Sequence, residues 1–200
     1  MSEPCTSLLC GALFLMIMGT IEIRKATVED AEFVAMVMME AVGHEMMELG
    51  HRPEAHLVDV CQRTDTLYTW KNAIIACVDG ERIGGLIAYD GKGYHDVKMR
   101  TFGMVRDKLP FDIDAMDDET REGEYYLDSL AVIPKWRRKG IGELLLGCGM
   151  KTAREAGLLP VLACDPTNES AFKLYQKLGF EADGELFIFG ETYLRMVAPL

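Results

Sequence analysis

The stretch AVIPKWRRKGIGELLLG, residues Ala131 to Gly147, passes from an apolar run through three consecutive cations into Gly-Ile-Gly and then a leucine-rich amphipathic run. That order predicts a strand, a tight cationic loop and a helix start. Backbone N–H groups at a helix N-terminus, aided by the helix dipole, form a natural anion site. Glycines at 140 and 142 let the chain approach an anion closely, and Arg137, Arg138 and Lys139 put charge where a diphosphate needs it. Two phosphate loops are excluded. No Lys-Ser/Thr follows the glycines, as a nucleotide P-loop requires, and Leu145 stands where a dinucleotide fingerprint needs its third glycine.

Working outward, the 200 residues suit one α/β domain, expected over residues 20–200, and 49% hydrophobic content predicts a packed core. The formal net charge of -11 repels nucleic-acid phosphate and attracts cations such as amines, so no nucleic-acid partner is expected. Cys5, Cys10, Cys61, Cys77, Cys148 and Cys164 show neither CxxC pairing nor zinc-ligand spacing, which fits reduced thiols and a cytoplasmic setting. Residues 1–19 carry an apolar run from Leu8 to Met18, too short to span a bilayer and without a basic n-region. They read as an extension with Met18 as an alternative start, the other readings being a signal segment or an ordered terminus. No membrane partner is expected.

Upstream, IEIRKA (residues 21–26) alternates like a strand, and helical spacing follows from Thr27, a predicted N-cap with Asp30 three residues on. A loop and second helix cover 43–70. NAIIACVD and RIGGLIAYD (72–79 and 82–90) form a hairpin whose turn is expected at Gly80-Glu81. Residues 91–123 interrupt the pattern with a helix and an acidic loop, an insertion long enough to be functional. Then come a strand (EYYLDSLAVI), the helix ending at Gly157, a strand (PVLACD), a short helix capped at Asn168 and closed by Gly179, and a final strand pair. The predicted class is α/β: a mixed, mostly antiparallel twisted sheet with a central parallel strand pair and helices on both faces.

Arg137-Arg138-Lys139-Gly140-Ile141-Gly142 matches the R/Q-x-x-G-x-G/A signature, and NESAFKLYQKLGF (168–180) the second signature, of GNAT-type N-acetyltransferases, which residues 21–196 resemble in element order. The resemblance implies acetyl-CoA, or another CoA thioester, as acyl donor and a primary amine of a small molecule or peptide as acceptor, joined by direct attack in a ternary complex. It implies that residues 138–142 bind the pyrophosphate with Arg137, that Leu130, Ala131 and Val132 pair with the pantetheine amides, and that Asn168 and Ala171 complete the CoA set. Arg138 stands where family members often have glycine.

Period-2 alternation places Glu124, Tyr126, Asp128, Leu130 and Val132 on one strand face. By the resemblance Asp128 is the first candidate base and Glu124 the second, Tyr126 contacts the acceptor, the Leu130 N–H is the oxyanion donor and Tyr175 is the general acid. The competing readings are a structural ion partner for Asp128 and a core aromatic for Tyr175. The resemblance also places His44, Glu45 and Glu48 beside the acceptor. Their spacing with His51 and His56 matches no HExxH pattern, so no metal is expected. The rival from another class is a non-catalytic acyl-CoA-binding regulatory module on the same fold. An oligomer is compatible with all of this.

Overall fold

The computed structural model describes residues 20–42, Met47 and residues 51–200. The expectations for residues 1–19 and for His44, Glu45 and Glu48 lie outside them. The chain runs β1 (Ile21–Lys25), a 3-10 turn (Val28–Asp30), α1 (Ala31–Ala41), α2 (Ala55–Gln62), β2 (Ala73–Val78) and β3 (Glu81–Asp90). It continues with α3 (Tyr94–Gly103), β4 (Glu124–Val132), α4 (Ile141–Glu155), β5 (Leu159–Cys164), α5 (Glu169–Lys177), β6 (Glu181–Ile188) and β7 (Glu191–Val197). The seven strands form one sheet in the order β1-β2-β3-β4-β5-β7-β6. Among the described residues only β4 and β5 pair in parallel, and α4 is their crossover.

Each sheet face carries its own core. On one, Val34, Val37 and Met38 of α1 pack with Ile75, Ile87 and Tyr126. On the other, Ile141, Leu145, Leu146 and Met150 of α4 pack with Leu86, Leu127 and Leu162. Gly149 lets α4 lie close to the sheet, since a Cβ there would stand 2.7 Å from Leu127 Cδ2 and 2.8 Å from Leu86 Cδ2.

Asp30, at the start of α1, is buried. It accepts from Arg24 Nη1 and Arg82 Nε at 2.7 Å each and from the Thr27 N–H at 2.9 Å. The Arg24 hydrogen bond, helped by the Thr27 N–H and Arg82, holds its carboxyl well below the usual range despite burial. One carboxylate thus ties β1, α1 and β3 together.

Two hairpins share a turn geometry. Between β2 and β3 the central residues are Asp79 and Gly80, at φ +51° and +80°, with Val78 opposite Glu81, so the turn lies one residue earlier than expected. Between β6 and β7 they are Phe189 and Gly190, at φ +56° and +84°, with Ile188 opposite Glu191. Positive φ at both central positions is the type I′ turn, which matches strand twist and favours Asn-Gly or Asp-Gly. Phenylalanine in the first position is an outlier.

Candidate active site

A β-bulge organises the chemistry. Ile87 lies opposite Ser129 and Ala88 opposite Leu127, which leaves Asp128 without a cross-strand partner. The extra residue reverses the alternation of β4. Tyr126 and Ala131 belong to the α1-side core, whereas Leu127, Leu130 and Val132 pack on the α4 side. The expectation that Glu124, Tyr126, Asp128, Leu130 and Val132 share one face is therefore corrected: Leu130 and Val132 face the other way. The bulge puts the Asp128 carboxylate among the α1-side tyrosines, where it accepts a very short hydrogen bond from Tyr89 Oη and one of 2.5 Å from Ser129 Oγ.

Burial pushes Asp128 above the ordinary carboxyl range, against the hydrogen bonds from Ser129 and Tyr89. A second carboxyl, absent from the sequence reading, lies close by. Glu119, in the insertion, is buried and accepts from Tyr94 Oη at 2.6 Å and Tyr126 Oη at 2.5 Å. Burial, then the Asp128 charge, push it up to about 7, opposed by the two tyrosines and Lys98. Tyr126 thus holds Glu119. Glu124 is committed to structure: it accepts from Arg195 Nη2 at 2.6 Å, Arg121 Nε at 2.8 Å and Thr120 Oγ1 at 3.1 Å.

Within the sheet the parallel pairing of β4 and β5 is brief. It covers Glu124, Tyr125 and Tyr126 against Leu159, Pro160 and Val161, and then the strands diverge, β5 pairing with β7 through Cys164. From Leu127 to Val132 the β5-facing edge of β4 has no strand partner among the described residues. The glycine loop lies at the open end. Arg138 at φ +62° and Gly140 at φ +81° take the left-handed region, and Gly140 is the N-cap of α4. Arg138 keeps the turn that glycine would make more easily. A Cβ on Gly142 would meet Leu130 at 3.5 Å and Leu174 at 3.7 Å, so β4, the start of α4 and α5 converge here.

The loop cations are drawn to protein partners. Arg137 bonds Glu40 Oε1 at 2.5 Å and the Val132 carbonyl at 3.0 Å, Arg138 Nη1 reaches Ser170 Oγ at 3.2 Å, and Lys139 Nζ lies 4.7 Å from the centre of the Trp136 ring. An extended chain bearing amides and a diphosphate fits this geometry: an open strand edge, then a helix N-terminus with the chain bent back by two left-handed residues.

Asn168 caps α5 as expected, its side chain accepting from the Ala171 N–H at 3.0 Å. Tyr175 packs edge-on to Phe180, ring centres 6.1 Å apart. Burial, then nearby Cys164, raise its phenol well above the ordinary value, so it stays protonated across the working pH range.

On the α1 side a cavity of about 650 Å³ opens between α1, α2, the insertion and the β6–β7 hairpin. Tyr68 lines it and feels the charges of Asp128 and Glu119 behind it. The cavity and the glycine loop thus lie on opposite faces of the sheet, with the Asp128 bulge between them.

An open strand beside a glycine loop, within a seven-stranded mixed sheet, defines a fold of the GNAT class. The chain belongs to the acetyltransferase (GNAT) family, whose model matches residues 38–180. Over 59 residues it is 42% identical to mycothiol acetyltransferase of Nocardiopsis dassonvillei, a match spanning 29% of this chain and 17% of that protein. Over 63 residues it is 44% identical to N-alpha-acetyltransferase 30 of Xenopus laevis, spanning 31% of this chain and 23% of that protein. The matched stretches are less than a quarter of either relative's length. An N-acetyltransferase structure from Staphylococcus aureus Mu50 superimposes with a TM-score of 0.67 at 22% identity, covering 88% of this chain and 99% of that one. Among the described residues no helix is long and apolar enough to cross a membrane.

Proposed function

We propose that this protein transfers an acetyl group from acetyl-CoA to a primary amine of a small molecule or peptide, by direct attack in a ternary complex. The reading is carried by the strand edge left open from Leu127 to Val132, which ends at the left-handed loop and the N-cap of α4. Residues 138–142 hold the pyrophosphate with Arg137, and Leu130, Ala131 and Val132 hold the pantetheine amides. Asn168 and Ala171 fix the helix that flanks them.

Asp128 takes a proton from the ammonium. A carboxyl raised by burial is a better match to an amine than an ordinary one. The amine nitrogen then forms a bond to the acetyl carbon and the carbon–sulfur bond breaks, leaving its electron pair on sulfur. The Leu130 N–H faces the developing negative oxygen, and Tyr175 delivers a proton to sulfur. Nitrogen sheds two protons in all and sulfur gains one, so each turnover releases one proton. Glu119 and the tyrosines around it position Asp128. Glu124, bound by three partners, holds β4 in place.

The test is thiol release from acetyl-CoA with a panel of primary amines, beside calorimetry with CoA. Gly142→Val should lose CoA affinity while still melting cooperatively. Tyr175→Phe should keep CoA affinity and lose about 10²-fold in turnover. Asp128→Asn should remove the acidic limb of the pH–rate profile. Unchanged CoA affinity in folded Gly142→Val removes the loop assignment, and normal turnover in Tyr175→Phe removes the acid.

A further inference from the structure

The cavity on the α1 side is lined by aromatic rings in contact with one another. Phe189 lies 5.3 Å from Phe111, 6.2 Å from Phe102 and 6.3 Å from Tyr193, centre to centre, each pair edge-to-face. Tyr68 closes the inner wall 6.1 Å from Phe102. Among the described residues charge is confined to the rim, where Glu54 pairs with His56 at 3.2 Å and Glu191 and Lys108 are exposed. A volume of about 650 Å³ is in the range that takes a whole small molecule.

The backbone adds an independent observation. Phe189 occupies the first central position of a type I′ turn at φ +56°, where a bulky side chain is disfavoured and asparagine or aspartate would be at ease. Strain of this kind persists where the surroundings hold it, and it clusters at ligand clamps. Here it aims a ring at the cavity wall. Phe111, which completes that wall, comes from the insertion, and the insertion is fastened to β6 beside the same turn. The Asp117 N–H donates to the Phe187 carbonyl at 2.9 Å, and Asp117 Oδ2 accepts from the Phe187 N–H at 2.7 Å.

We infer that the acceptor is a small primary amine with a bulky aromatic or otherwise apolar body, seated in the Phe102–Phe111–Phe189–Tyr193 box with its amine directed past Tyr68 toward Asp128. The inference rests on the transferase reading and gives its acceptor a chemical class. A polar body would lose its water against these rings without gaining hydrogen bonds. An apolar body gains by filling such a pocket, on the order of tenfold or more for each methylene it adds. The acidic surface draws in the cation, and the box selects among cations by what else they carry.

Two amines that share a two-carbon amine arm test this: 2-phenylethylamine and ethanolamine. With acetyl-CoA and the full chain, kcat/KM should favour phenylethylamine by at least about tenfold. Phe111→Leu and Phe189→Asn should each shrink that ratio, and either variant suffices if the other does not fold. An active enzyme that uses ethanolamine equally well or better overturns the inference and leaves the transferase reading standing. If neither amine is turned over, calorimetry of each into the CoA-saturated protein decides. Selective binding of phenylethylamine keeps the box and removes the transferase reading, and equal or absent binding removes the box.

Discussion

The β2–β3 and β6–β7 hairpins make the same turn with different residues, and the difference separates a turn shaped for the fold from one that places a ring in the cavity wall. Asp79-Gly80 is what the geometry asks for, and beside it the buried Asp30 is clasped by Arg24 and Arg82. Phe189-Gly190 departs from that preference and gains a ring against Phe102, Phe111 and Tyr193. The buried carboxyls follow the same division. Asp30, met by guanidinium groups, is pulled down, whereas Asp128 and Glu119, met by hydroxyls, are pushed up by burial.

The largest effect should come at the structural end. Asp30→Asn leaves two arginines without their buried partner and should destabilise the fold by about 3 kcal/mol at neutral pH. A depressed carboxyl contributes stability that is present above its unfolded value and lost as pH falls through the folded one. Denaturant melts should therefore show the deficit narrowing as pH drops below about 4. A deficit that stays constant to low pH would mean that packing, not charge, is at work there.

Glu119 carries the opposite sign. Its raised value means that the proton it holds stabilises the fold below the unfolded value and that this contribution is lost as pH rises through about 7. Glu119→Gln should remove a decline on the order of 2 kcal/mol between pH 5 and 8, leaving the part owed to Asp128. A wild-type stability that rises over that interval contradicts the assignment.

Phe189→Asn converts the second hairpin into the kind found in the first. Lost ring packing and relieved backbone strain should nearly offset, so melting should move by less than about 1 kcal/mol. Meanwhile kcat/KM for 2-phenylethylamine should fall by about tenfold. Parallel loss of both would make Phe189 an ordinary core residue. The reverse exchange is the mildest: Asp79→Phe should destabilise by about 1 kcal/mol, with kinetic constants unmoved, as Asp79 does not line the cavity.

Much of the fold was legible. The alternation of residues 21–26, the Asn168 cap, the Gly157 and Gly179 helix ends and the paired signatures around Gly140 and Tyr175 are local signals, and local signals survive folding. The two failures on β4 share a cause. A bulge adds one residue without changing composition, so EYYLDSLAV gives no sign that alternation reverses at Asp128. Glu119 sits in an acidic run, DDETREGE, that reads as solvated. Its burial depends on hydroxyls from Tyr94 and Tyr126, which reach it only once the insertion has folded onto β4. The turn misplaced by one residue shows the same limit on a smaller scale, because Asp-Gly and Gly-Glu are adjacent and only strand register chooses between them.

The half of β4 that parts from β5 is an unpaired strand edge in the interior of a sheet rather than at its rim. A bare rim is an invitation to other protein chains, and proteins commonly blunt it with charge, proline or a bulge. Here β5 stands on the far side of the gap as a fence. A strand from a second molecule, flanked by its own side chains and sheet, would collide with it, but a single thin chain with amides along its length can slip in from the open end. In the proposed function this edge serves a small molecule, and the same divergence that would admit the ligand keeps this stretch of β4 from pairing with a strand of another protein chain.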